Sequence, residues 1–187
     1  MGSFFAAALF PVALIPQVKE TLSNSSYYLL TKSTESYAYV SEKEMDAQRE
    51  DLLMQFGKNT SEKSEQPIFT FLVYDSDVLD FCVFHQGKRV YYYSNDDAYF
   101  SGGEVVVEGN DEIIKLLKLD KEKWESVSNK KRIEEFCEAE DYLAEFLKLL
   151  NLPEWTYNVG FNYIENDPWT MEDLKKAKVE IFKHGLE

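Results

Sequence analysis

The chain has 187 residues, 44% of them hydrophobic and 15% aromatic, which excludes global disorder and is enough for one core. Thirty-four Asp and Glu against twenty Lys and Arg give a formal charge of -14, a field that repels nucleic-acid phosphates and anionic lipid and draws basic partners. Two cysteines, Cys82 and Cys137, are too few for a disulfide framework and lack CxxC spacing. A reducing, cytoplasmic setting is expected, with no cofactor, no nucleic acid and no membrane.

The opening MGSFFAAALFPVALI is almost wholly apolar, yet it lacks a basic n-region and is shorter than the ~20 residues that span a bilayer. Ser3 to Phe10 therefore reads as a strand covered on both faces, with room for a short helix from Pro16 to Leu22. Tyr27 to Thr31 and Ser36 to Val40 suit two further strands. Ser41 and Glu44 have capping-box spacing, and Met45, Leu52, Leu53 and Phe56 predict one amphipathic helix ending at Gly57. Lys58 to Gln66 reads as an exposed loop.

From Pro67 the pattern is β. Ile68 to Tyr74, Val78 to Phe84 and Arg89 to Ser94 predict a meander, with Gln86-Gly87-Lys88 as a hairpin turn. Tyr91, Tyr92 and Tyr93 alternate faces. Gly102-Gly103 turns the chain before Val105 to Val107. Ile113, Ile114, Leu116, Leu117 and Leu119 then make a helix with Asp111 and Glu112 at its positive end. Ile133, Phe136, Cys137, Leu143, Phe146, Leu147 and Leu150 form a second helical stripe closed by Pro153. Val159 to Ile164 alternates as a late strand. Thr170 and Asp173 suggest a weak capping box for a last helix stopping at Gly185.

Strands grouped early and helices late predict an α+β fold. The expectation is a single domain with a central antiparallel sheet, helices packed on one face and a helical C-terminal half. Residues 1–66 form a β/α segment, 67–107 the meander, and 108–187 a mainly helical part with one strand.

Val73-Tyr74-Asp75-Ser76-Asp77-Val78-Leu79, Gly87-Lys88-Arg89-Val90, Tyr93-Ser94 and Tyr99-Phe100 resemble segments of a bacterial protein family of unknown function. Leu152-Pro153-Glu154-Trp155 and Val159-Gly160-Phe161-Asn162-Tyr163-Ile164-Glu165 resemble the same family's closing segment. The resemblance covers about residues 67 to 166 and implies no activity, so no residue role follows from it.

The chemistry on offer is sparse. Asp75, Asp77 and Asp80 flank one turn, and Asp96 and Asp97 follow the next strand, so five carboxylates can gather at one sheet end. Three readings fit: side chains closing a turn, a weak divalent-metal set of Asp75, Asp77 and Asp80, or an acidic rim for a partner. Two histidines, His85 and His184, without HExxH argue against zinc, and GxSxG, P-loop and GxGxxG patterns are absent. The candidate surface is thus Asp75, Asp77, Asp80, Tyr92, Asp96, Asp97 and Tyr99. The first expectation is a protein-binding module that engages a basic partner, as immunity proteins and antitoxins do. The alternatives are a carboxylate- or metal-dependent hydrolase built on Asp75, Asp77 and Asp80, and a homo-oligomeric structural protein pairing through a sheet edge.

Overall fold

The computed structural model describes residues 2–128 and 138–185. In chain order they form β1 (Phe5–Pro11), α1 (Ile15–Thr21), β2 (Tyr27–Thr31), β3 (Tyr37–Glu42), α2 (Lys43–Asp46), α3 (Glu50–Ser61), β4 (Ile68–Tyr74), β5 (Val78–His85), β6 (Lys88–Ser94) and α4 (Asp96–Ser101). There follow β7 (Val106–Glu108), α5 (Asn110–Leu117), α6 (Lys121–Ser128), α7 (Ala139–Leu149), α8 (Phe161–Asn166), α9 (Pro168–Lys176) and β8 (Glu180–His184). The fold is α+β.

Strand β1 is buried at every position, and its alternation feeds two cores. Phe5, Ala7 and Leu9 face one core while Ala6, Ala8 and Phe10 face the other. Such a strand must lie inside a sheet. The order is β7-β6-β5-β4-β1-β3-β2-β8, antiparallel throughout, with β1 between β3 and β4.

Apolar strands on both faces require cover on both, so helices lie on each side of the sheet instead of on one. On the first face Phe146 of α7 stacks on Phe81 at 4.8 Å and meets Tyr91, Tyr93, Trp124 and Tyr142 edge-on or tilted. On the second, Val18 of α1 and Leu53 and Phe56 of α3 pack with Cys82 and Phe84. Burial pushes the Cys82 thiol up, which suits a small core hydrophobe rather than a nucleophile. Cys137, with Ile133 and Phe136 of the anticipated stripe, lies outside the described residues.

Helix α3 runs so close to β5 that a Cβ on Gly57 would stand 2.6 Å from the Phe84 ring and 2.9 Å from Thr70 Cγ2. Alanine is the better helix former by about 1 kcal/mol, but overpacking costs about 1–3 kcal/mol. Gly57→Ala is therefore expected to lower stability by up to about 2 kcal/mol in urea denaturation, a sign opposite to that of the usual helical Gly→Ala.

Several elements differ from the sequence expectation. The helix anticipated from Ser41 to Gly57 is two, broken at Gln48, whose φ is +64°. Ser41 belongs to β3, and the cap of α2 is Glu42, whose carboxylate accepts from the amides of Glu44 and Met45. Helix α3 continues through Gly57 to Ser61, shortening the anticipated loop. The 159–164 segment is helix α8, not a strand, and the last helix ends at Lys176 before β8 pairs with β2. Asp167 caps α9, in place of Thr170. Helix α4, between β6 and β7, has no apolar periodicity to announce it. The Gln86-Gly87 hairpin is as expected, with φ of +51° and +75°. Among the described residues no helix is long and apolar enough to cross a membrane.

Candidate functional site

The β4–β5 turn is built by two residues in the left-handed region, Asp75 and Ser76, at φ of +53° and +58°. Their conformation is fixed by tertiary bonds. Ser76 Oγ donates to Glu140 Oε1 at 2.9 Å and accepts from Ser3 N at 2.7 Å, while Ser76 O accepts from Ala139 N. The turn is thereby locked to the start of β1 and to α7. Asn95 holds its other side, accepting from Leu79 N at 2.6 Å and donating to Asp77 O at 2.8 Å. This sets α4 beside the turn.

On that scaffold aromatic rings form a continuous exposed ladder. Phe4 meets Tyr74 at 5.0 Å, Tyr74 meets Phe100 at 5.9 Å, and Phe100 meets Tyr99 at 4.9 Å. Phe100 is 62% exposed and Tyr99 48%. Tyr99 donates to Asp77 Oδ2 at 2.8 Å, and this bond to a carboxylate raises the phenol above its ordinary range. Asp75, Asp96 and Asp97 are exposed around the rings. Neither 67–86 nor 90–114 contains a lysine or arginine. The result is an apolar strip rimmed by negative charge.

Five of the seven anticipated residues, Asp75, Asp77, Asp96, Asp97 and Tyr99, belong to this region. Asp80 and Tyr92 lie on the same side of the sheet as Tyr74, Asp80 opposite Leu72, but packing against α3 withdraws them from the exposed surface, Asp80 being buried and Tyr92 half-buried. Burial, with repulsion from Glu50 and Asp96, lifts the Asp80 carboxyl to about 6 against the pull of the Ser94 and Tyr92 hydroxyls. Tyr92 Oη stands 3.5 Å from Asp80 Oδ1, and the Arg89 guanidinium covers the Tyr92 ring at 4.4 Å. Asp75, Asp77 and Asp80 therefore do not form a metal set. Among the described residues no three His, Cys, Asp or Glu side chains converge to hold an ion.

Phe4 and Tyr74 were missed because they stand where strands begin and end. A sequence shows them as strand residues and conceals that their rings meet across β1 and β4. The Asp46 node was missed for a similar reason. Asp46, 2% exposed, accepts from Ala6 N at 3.2 Å and Asn162 N at 3.0 Å, with Ser41 Oγ at 3.4 Å. Ser41 Oγ in turn donates to Ala6 O and accepts from Phe161 N, both at 2.9 Å. Burial raises the Asp46 carboxyl, and the amides and the serine hydroxyl oppose that rise. The node is a structural one, capping α8 from across the fold.

Two grooves are lined by none of the anticipated site residues. One of about 400 Å³ runs between α1 and the end of α3, and another of about 470 Å³ lies between the Trp155–Val159 segment and α9. The chain matches no family model, and no curated protein and no solved structure matches it.

Proposed function

We propose that this protein is a binding module that engages a basic protein partner through the Phe4–Tyr74–Phe100–Tyr99 ladder and its acidic rim, in the manner of immunity proteins and antitoxins. The observation that carries the reading is the ladder itself. Four touching rings at the surface, one of them 62% exposed, are an arrangement that solvent disfavours and that interfaces use as an anchor. The flanking aspartates add what an apolar anchor lacks, long-range attraction and a filter against acidic competitors. The turn is held rigid by Ser76 and Asn95, so little ordering entropy is lost on docking.

The hydrolase alternative receives no support from geometry, since among the described residues no three ligating side chains converge and Asp80 is buried. The test is capture of partners by the immobilised protein at low and moderate salt, beside the Phe100→Ala and Asp96→Asn/Asp97→Asn variants. A basic protein should be retained, with affinity falling about tenfold or more in Phe100→Ala. The double Asn variant should chiefly slow association and flatten its salt dependence. Retention that ignores both variants would sink the reading, and recovery of this same chain alone would replace it with the oligomeric one.

A further inference from the structure

We infer that the groove between Trp155–Val159 and α9 is a second recognition site, built to take the guanidinium side chain of an arginine. It involves no residue of the ladder and does not depend on that reading. The groove presents three aromatic residues, Trp155, Tyr157 and Trp169, and two carboxylates, Asp167 and Asp173. No lysine or arginine lines it.

Trp169 is 73% exposed, the most exposed large hydrophobic side chain among the described residues, and Tyr157 is 40% exposed. Neither is needed to fill a core. An indole face held open beside carboxylates attracts a cation, and a flat, weakly hydrated guanidinium stacks there better than a compact ammonium.

The carboxylates are suited to the second half of the contact. Asp167 Oδ1 accepts from Trp169 N at 3.2 Å, and Oδ2 accepts from Thr170 N and Thr170 Oγ1 at 3.1 and 2.7 Å. These bonds, that from the Thr170 hydroxyl first, hold its acid below the usual carboxylate range. It stays charged, and with three bonds against about four acceptor positions it keeps one on Oδ1. Asp173 meets Lys176 at 3.3 Å, but both side chains are largely exposed, and such a pair yields readily to a better-placed cation. The overall charge of -14 concentrates cations at any such groove.

The experiment follows the three indole N–H signals by NMR while N-acetyl-arginine methylamide is added to the full-length protein. Saturable shifts of Trp155 and Trp169 are expected, with dissociation in the range of about 1–10 mM. Trp124, which is 1% exposed and bonded to Asn110, should not move and reports that the fold is intact. Trp169→Ala, followed through Trp155, should weaken binding about tenfold and Asp173→Asn about threefold. The neutral isostere N-acetyl-citrulline methylamide should give no saturable shift. Equal shifts from citrulline, equal binding by the lysine analogue, movement of Trp124 with the others, unaltered titration in Trp169→Ala, or no saturation would each overturn the assignment. None of these outcomes bears on capture by the ladder.

Discussion

Asp46→Ala should destabilise the protein by about 3–5 kcal/mol, measured as a fall in the urea midpoint at unchanged slope. The carboxylate is buried, and each of its oxygens accepts from a backbone amide, Oδ1 from Ala6 N and Oδ2 from Asn162 N. Its removal strands amides of the central strand and of α8 in a place water does not reach. Asp46→Asn should recover only a small part of the loss. Both carboxylate oxygens accept, so an amide must turn its NH2 toward either the Ala6 or the Asn162 amide, donor against donor. If Asn restored full stability, the two-acceptor account of the node would be wrong.

Asp80→Asn should do the reverse. Here the side chain stands among other acids, Glu50 and Asp96, and the Ser94 and Tyr92 hydroxyls can donate equally well to an amide oxygen. The folded carboxyl titrates near 6 against an ordinary 3.8. Because the folded value is the higher, the native state binds the proton more tightly. The group's favourable contribution is thus complete below about pH 4 and lost as pH rises through about 6. About two pH units at about 1.4 kcal/mol each set a ceiling of about 3 kcal/mol. Asp80→Asn is accordingly expected to gain about 1–2 kcal/mol at pH 7.5, gain nothing at pH 4, and flatten the stability profile between them. Asp46, raised in the same sense, contributes to the same slope and should keep some of it in the variant. A variant less stable at pH 7.5, with the slope intact, would show that the carboxylate is held by attraction.

The contrast between these aspartates marks what the sequence could and could not convey. Both are acids near apolar residues, and nothing local separates one that caps a distant helix from one merely buried among like charges. Strands β4, β5 and β6 were legible because their runs of β-branched and aromatic residues and the Gln86-Gly87 turn are local properties. Helix α8 was not, since Val159 to Ile164 alternates like a strand, and two of the amides that begin the helix are satisfied by Ser41 and Asp46, each more than a hundred residues away. Ser41 misled in a matching way: its hydroxyl is occupied by Ala6 and Phe161 and cannot serve the capping box its spacing suggested. Strand β8 read as helix because it continues a lysine-rich helical segment, and its β form comes from pairing with β2, Tyr28 opposite Lys183. At the candidate site the acids and Tyr99 were visible as composition. Which of them reach the surface was decided by the cover of α3, which buries Asp80 and half-buries Tyr92.

The placement of β1 and β8 also governs how the chain reaches its native state. The earliest strand is sandwiched between two that come later, and β2 waits for a partner about 150 residues further on, Tyr28 to Lys183. Closing such distant pairs costs entropy before any contact compensates it, so folding should be slow, as for other non-local β topologies. Until β8 docks, the outer edge of β2 offers unpaired backbone beside Tyr27, Leu29 and Leu30, a ready template for another unfolded copy. Once added, β8 closes that edge with Glu180 and Lys183. The same strand that completes the sheet is therefore its guard against self-association, and the interval before it arrives is when refolding must be kept dilute.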